Sequence, residues 1–212
     1  MNGMCKMAML DNRTLGYGGR LVLGVLLIIV SSVLRFWDPA GIIANTSAAW
    51  GMVVYLPAVF VAQEKNGLER LYGSLPLSAH DVVCGRYLFY YLNFFVMLAL
   101  TLIFGVAISN AAQGVYVLAS VAVAVLLFTL IAGVQLAVYF TWGTRKGALV
   151  SWLQFCILVL GFLNTVFMDK LYDFWQEILA HPLLIALFSV LASVVIGVVS
   201  YRLALSGWRK RI

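Results

Sequence analysis

The chain has 212 residues, of which 64% are hydrophobic and 10% charged, with a mean hydropathy of +1.01. Soluble domains carry about 45–50% apolar and about 25% charged residues, so an ordinary soluble enzyme, a disulfide-stapled secreted scaffold and a disordered tail are excluded. The composition is that of a polytopic membrane protein, and its formal charge of +6 acquires meaning only from where the charges fall.

An apolar helix needs about 20 residues to cross a bilayer. Stretches of that kind occur at 21–37, 40–62, 88–108, 115–140, 148–167 and 182–205, the first including Arg35 near its end and the last Arg202. Arg35 can reach outward from the first stretch by snorkelling. The stretches are too long for strands and lack period-2 alternation, which disfavours a β-barrel. The predicted fold is therefore all-α, one transmembrane domain of six spans over 1–212. Lys6, Arg13 and Arg20 precede the first apolar run as they would in a cleavable signal peptide. No small-x-small site directly follows that run, so it is read as a retained anchor.

Orientation follows from the basic residues. With both termini inside, the cytoplasmic segments hold Lys6, Arg13, Arg20, Lys65, Arg70, Arg86, Arg145, Lys146, Arg202, Arg209, Lys210 and Arg211, leaving only Arg35 and Lys170 outside. The acidic residues divide evenly: Asp11, Glu64, Glu69 and Asp81 inside, Asp38, Asp169, Asp173 and Glu177 outside. Lys and Arg, rather than net charge, set topology, and an odd number of spans would spoil the asymmetry. The basic excess is a topology signal and not a nucleic-acid footprint. Before the first stretch, Met1, Met4, Met7 and Leu10 recur every three residues, a loose amphipathic pattern that a short interfacial helix or a cytoplasmic tail would accommodate. Residues 141–147 are expected to be a short basic inner loop. Residues 168–181, with Tyr172, Phe174 and Trp175, form the longer outer one.

Little in the chain resembles a reaction centre. Cys5, Cys84 and Cys156 are scattered without a CxxC pair, and His80 and His181 fall on opposite sides of the membrane, so no metal site is expected. No phosphate-binding loop of the Gly-x-x-x-x-Gly-Lys-Ser/Thr kind is present. Leu205-Ser206-Gly207-Trp208 superficially resembles a nucleotide-binding signature, but it ends a membrane helix and is set aside. No Asp, Glu or His lies at the centre of a span, which weakens proton coupling and intramembrane acid–base chemistry. Asn45, Asn93, Gln135, Gln154 and Asn164 are candidates for lining a substrate path, or for hydrogen bonding between helices.

The segment 63–87 is the largest connection on the inner side. Leu68, Leu71 and Tyr72 share a helical face, Gly73 suits a helix C-terminus and Pro76 enforces a bend. Ser78 followed by Asp81 reads as a capping box opening a helix that runs from Ala79 into the third span. The loop's leucines, flanked by Glu64, Lys65, Glu69 and Arg70, suit either the membrane interface or a groove on a cytosolic partner.

These residues resemble the first cytoplasmic loop of ABC-2 type permeases, in Glu64, Asn66, Glu69-Arg70-Leu71, Ser74-Leu75-Pro76-Leu77-Ser78, Val82-Val83 and Arg86-Tyr87. The small six-span prokaryotic subfamily with bacitracin-type and peptide-exporter permeases is the nearest in pattern. Ala79-His80 departs from it where a basic residue commonly follows the Ser. The resemblance implies a non-catalytic permease subunit of an exporter in the prokaryotic cell membrane, dimeric with itself or a similar chain. ATP and Mg would be handled by a separate cytosolic ATPase, with no cofactor on this chain. Glu64, Asn66, Leu68, Glu69, Arg70, Leu71, Ser74, Leu75, Pro76, Leu77 and Ser78 would form the loop that couples to that ATPase. The implied cargo is hydrophobic or amphipathic: a peptide, a lipid or a drug. Two other classes fit less well. A small multi-pass enzyme would need paired carboxylates, and Glu64 and Glu69 share a helical face poorly. An ion-coupled carrier would need intramembrane acids.

Overall fold

A computed structural model describes residues 57–62, 64–65, 78–108, 114–167 and 181–211, together with the isolated positions 9, 26, 29, 49 and 51. The predicted stretch 21–37 apart from Leu26 and Ile29, most of 40–62, the loop residues 66–77, and the outer loop apart from His181 lie outside the described residues, as does the N-terminal segment apart from Met9. The described residues are helical throughout, apart from short junctions, and contain no strand. The four long helices are α1 (Ala79–Ile108), α2 (Gly114–Trp142), α3 (Thr144–Phe167) and α4 (Pro182–Arg211). Three of them are long and apolar enough to cross a membrane, over Ala79–Ile103, Val117–Trp142 and Pro182–Lys210. α3 is a continuous 24-residue helix that contains the predicted stretch 148–167.

Local chemistry sets the helix boundaries. The Ser78 Oγ accepts from the Asp81 backbone N–H at 3.1 Å, while the Asp81 carboxylate accepts from the Ser78 backbone N–H at 3.2 Å and from its hydroxyl at 2.6 Å. This reciprocal pair satisfies donors that the first turn of α1 would otherwise leave bare. The expected inner loop at 141–147 is instead a single residue. α2 runs on to Trp142, α3 begins at Thr144, and Gly143 between them has φ 85°. The Gly143 N–H donates to the Tyr139 carbonyl and its own carbonyl accepts from the Gly147 N–H, both at 3.0 Å. One residue thus closes α2 and opens α3, in a left-handed conformation that costs glycine nothing. Composition marks the segment as a break because Arg145 and Lys146 are charged, yet both side chains are exposed on a helix that tolerates them.

α2 packs chiefly along α4, and α1 packs antiparallel to α4. α2 and α4 run parallel: Gly133 meets Ser200 and, further along both, Thr141 meets Gly207. Ala186, Ser189, Ser193, Ser200 and Ala204 are all buried on α4, spaced by three, four or seven residues. Small side chains on one face let helix backbones approach, the usual basis of association where lipid removes the hydrophobic driving force. The Ser200 hydroxyl donates to the Gly133 carbonyl at 2.9 Å. Its hydrogen being spent there, Ser200 accepts from the Tyr87 hydroxyl of α1. Three helices therefore meet at one serine. The complementary face of α4 carries exposed Leu183, Leu187, Leu191, Val195 and Val199, the pattern expected of a surface solvated by lipid.

Candidate functional site

The termini of four helices gather at one end of the bundle: the start of α1, the α2–α3 junction and the end of α4. Every described Lys and Arg lies toward this end, namely Lys65, Arg86, Arg145, Lys146, Arg202, Arg209, Lys210 and Arg211. The helical residues 57–62 enter the same region and bring Phe60, which is 6% exposed, into its centre.

Phe60 organises an aromatic nest. Its ring stacks on Tyr139 of α2 with centroids 4.1 Å apart and planes within 4°. It meets Phe140 edge-on at 5.8 Å, and Phe140 in turn meets Trp208 of α4 at 5.6 Å. On the α1 side, the Arg86 guanidinium carbon lies 4.6 Å from the Phe60 ring centre. Arg86 is only 2% exposed. A cation over an aromatic face in a desolvated setting contributes ~2 kcal/mol or more. The segment 57–62, α1, α2 and α4 are thereby joined through one ring. Arg86 belongs to the sequence motif at 86–87 and was counted among the inner-side charges. The structure places it on the third turn of α1, in the interior, where its flat charged group can stack.

Glu64 is the second link. The Thr144 hydroxyl, on the first residue of α3, donates to a Glu64 carboxylate oxygen. The first residue of the predicted coupling set is therefore anchored to the one-residue turn between α2 and α3. Gly147 tightens that turn further. A Cβ placed there would lie 2.5–2.7 Å from three atoms of the Tyr139 ring, and such near-equal distances put it over the ring face. Gly147 lets α3 rest on the same tyrosine that Phe60 stacks upon.

Of the predicted coupling residues, Glu64 and Ser78 are described and frame the loop from its two sides. One is bound to the α2–α3 turn and the other caps α1. Asn66, Leu68, Glu69, Arg70, Leu71, Ser74, Leu75, Pro76 and Leu77 lie outside the described residues. Among the candidate path residues, Asn93 donates to the Phe89 carbonyl of its own helix at 2.7 Å. Gln135 is fully buried on α2. The Gln154 side-chain oxygen on α3 is buried without a hydrogen-bond partner among the described residues. Asn164 lies within α3, and Asn45 is outside the described residues. Thr101 and Ser193 also bond to carbonyls of their own helices. Cross-helix polar contacts include two from tyrosines, Tyr87 with Ser200 and Tyr91 donating to Thr129 at 3.1 Å.

Sequence reasoning missed Phe60, Tyr139, Gly143 and Thr144. The available signal was the pair Gly143 and Gly147, one turn apart and flanking the basic dipeptide, which marks a tight helix–helix turn rather than an open loop. His80, where the sequence departs from the motif, presents its ring edge-on to Tyr201 of α4 at 6.0 Å.

The family described as ABC-2 family transporter protein matches residues 14–207. No curated protein and no solved structure gives a significant match.

Proposed function

The chain belongs to the ABC-2 transporter family, and from that premise we propose that it is the membrane permease subunit of an ABC exporter driven by a separate cytosolic ATPase. The family match over 14–207 carries this reading. A multi-pass membrane protein of a transport family works as a transport subunit rather than as a catalyst. ATP and Mg then belong to the partner chain.

In this proposal residues 63–87 are the coupling loop, and the two described residues of the predicted set explain how it would act. A push on the loop reaches Glu64, whose bond to Thr144 transfers it to the α2–α3 turn. It also reaches Ser78, whose cap makes the first turn of α1 an extension of the loop. The Phe60, Tyr139 and Arg86 nest ties these inputs together, so that α1, α2 and α3 move in concert. The gathering of basic side chains at this end supports a cytoplasmic placement by the rule that positive loops stay inside. Six spans with both termini inside, a second permease protomer and a prokaryotic cell membrane complete the proposed assembly. The cargo would be hydrophobic or amphipathic, in keeping with spans that lack intramembrane acids.

The test is purification of the tagged full chain from its native membrane in a gentle detergent, followed by identification of co-purifying chains. A cytosolic ATPase with phosphate-binding loops is the expected companion. Leu75→Asp or Pro76→Ala should reduce its recovery at least fivefold while the permease remains in the membrane. An active transporter that purifies with no ATPase, or unchanged recovery with both variants, refutes the proposal.

A further inference from the structure

A groove of about 690 Å³ lies between α1 and α4, floored by α2. Its walls are aliphatic along most of their length, with Val190, Val194 and Val198 of α4 on the open side. The hydroxyls inside it are already engaged: Tyr91 with Thr129, and Tyr87 with Ser200. They therefore make little claim on water, and the groove suits hydrocarbon. At the end nearer the start of α1 its character changes. The Tyr201 hydroxyl is buried without a hydrogen-bond partner among the described residues, and Arg202 lines the same groove with its side chain exposed. Arg209 follows seven residues later on α4, on the same face at helical spacing.

We propose that this groove holds an anionic phospholipid, with an acyl chain along the valine wall and the phosphate on Arg202. Three observations select that occupant. The lining of the groove on α4 runs from Val190 to Leu205, and the stretch from Val190 up to the cation at Arg202 is ~18 Å at ~1.5 Å per residue, close to the ~15 Å that is half of a ~30 Å hydrocarbon core. The apolar stretch below Arg202 therefore matches one leaflet rather than a whole bilayer. Toward the start of α1 the groove supplies the exposed Arg202 guanidinium, a cation that complements a phosphate. Among described residues the acid nearest in sequence to this mouth is Asp81 on α1, and Ser78 already holds it. A second copy of the chain is the weaker candidate, because a two-fold contact across this groove would bring two copies of Arg202 into one apolar interface, with no acid among the described lining residues to pair them.

Gly197 keeps the groove open. A Cβ there would stand 3.7 Å from the Tyr91 hydroxyl and 3.8 Å from Thr129 Cγ2, ordinary contacts, so a small side chain fits and a large one fills the space.

Native mass spectrometry of the full chain in mild detergent, titrated with phosphatidylglycerol or phosphatidylcholine of identical acyl chains, tests the site. The wild type should retain phosphatidylglycerol about fivefold better, the factor expected of one basic residue acting on an anionic headgroup. Arg202→Gln should abolish that preference without lowering retention of phosphatidylcholine. Gly197→Leu, or Val198→Trp from the open wall, should lower retention of both lipids at least fivefold while helicity by circular dichroism is unchanged. Equal retention of the two lipids by the wild type refutes the proposal. So does a preference that survives Arg202→Gln, or retention indifferent to both filling variants. Displacement of the lipid by soluble glycerol phosphate would remove the role of the acyl chain. A disulfide between two copies through Val198→Cys would assign the groove to a protein interface instead.

Discussion

Gly147→Ala tests the geometry of the turn directly. The added Cβ would stand 2.5 Å from the nearest Tyr139 atoms, against the ~3.5 Å at which carbon atoms rest in contact. The ring must retreat by about 1 Å. It is 1% exposed and stacked on Phe60 at 4.1 Å, so the retreat disturbs a second ring. Overpacking of this kind costs about 1–3 kcal/mol, and the disturbed stack adds about 0.5–1.5 kcal/mol. Alanine returns about 1 kcal/mol through its helix propensity. The expected net loss is about 2 kcal/mol, measurable as a shift in reversible unfolding in detergent micelles. A double-mutant cycle isolates the cause: with Tyr139→Ala in place, the same Gly147→Ala change should become neutral or stabilising. Stability equal to the wild type in the single variant, or a penalty that persists without the tyrosine ring, would refute the reasoning.

Gly143→Ala should cost about 1–2 kcal/mol, because φ 85° is the left-handed region where a Cβ meets the following carbonyl; thermal unfolding followed by circular dichroism reads the effect. Arg86→Lys should behave as a loss rather than a conservative change, since an ammonium is more strongly hydrated and cannot lie flat over Phe60. An unfolding midpoint indistinguishable from the wild type would deny the stacked geometry its importance. Ser200→Ala removes one hydroxyl that serves α1 and α2 at once and should cost about 1–3 kcal/mol, as expected when buried polar partners lose their mate. Tyr87→Phe in that background should recover part of the loss. Thr144→Val should leave membrane insertion and ATPase recovery intact while lowering permease-stimulated ATP hydrolysis at least threefold, and hydrolysis at the wild-type level would dismiss the Glu64 link as incidental.

Three of the predicted spans, 88–108, 115–140 and 182–205, were legible because burial in lipid demands length and hydropathy, and both are visible in one dimension. The cap of α1 was legible for a related reason: Ser78 and Asp81 interact three residues apart, within the reach of local pattern. Helix faces were not legible from hydrophobicity, because α2 and α4 are apolar all round and no amphipathic stripe points inward. The information lies in size instead. Ser189, Ser193, Ser200, Ala204 and Gly207 mark the buried face of α4, while leucines and valines mark the other. The turn between α2 and α3 was misjudged on charge. Arg145 and Lys146 look like loop residues, but a helix that starts at a membrane surface can carry exposed cations on its first turn. The burial of Arg86 was not legible, since no local rule reveals that a distant Phe60 will provide it with an aromatic face.

That burial bears on how the proposed coupling would operate. A long flexible inner loop between α2 and α3 would absorb a displacement delivered at Glu64. A junction of one residue, held by two backbone hydrogen bonds at Gly143, has no slack to do so. The Tyr139 ring fills the space behind it, between Gly147 and Phe60, so the junction can rotate only by carrying α2 and α3 along. α4 is bound to the same body, through Gly207 against Thr141 and Ser200 against Gly133. Movement at the coupling loop would thus appear as a tilt of packed helices against the lipid-exposed face of α4, and not as a local loop rearrangement.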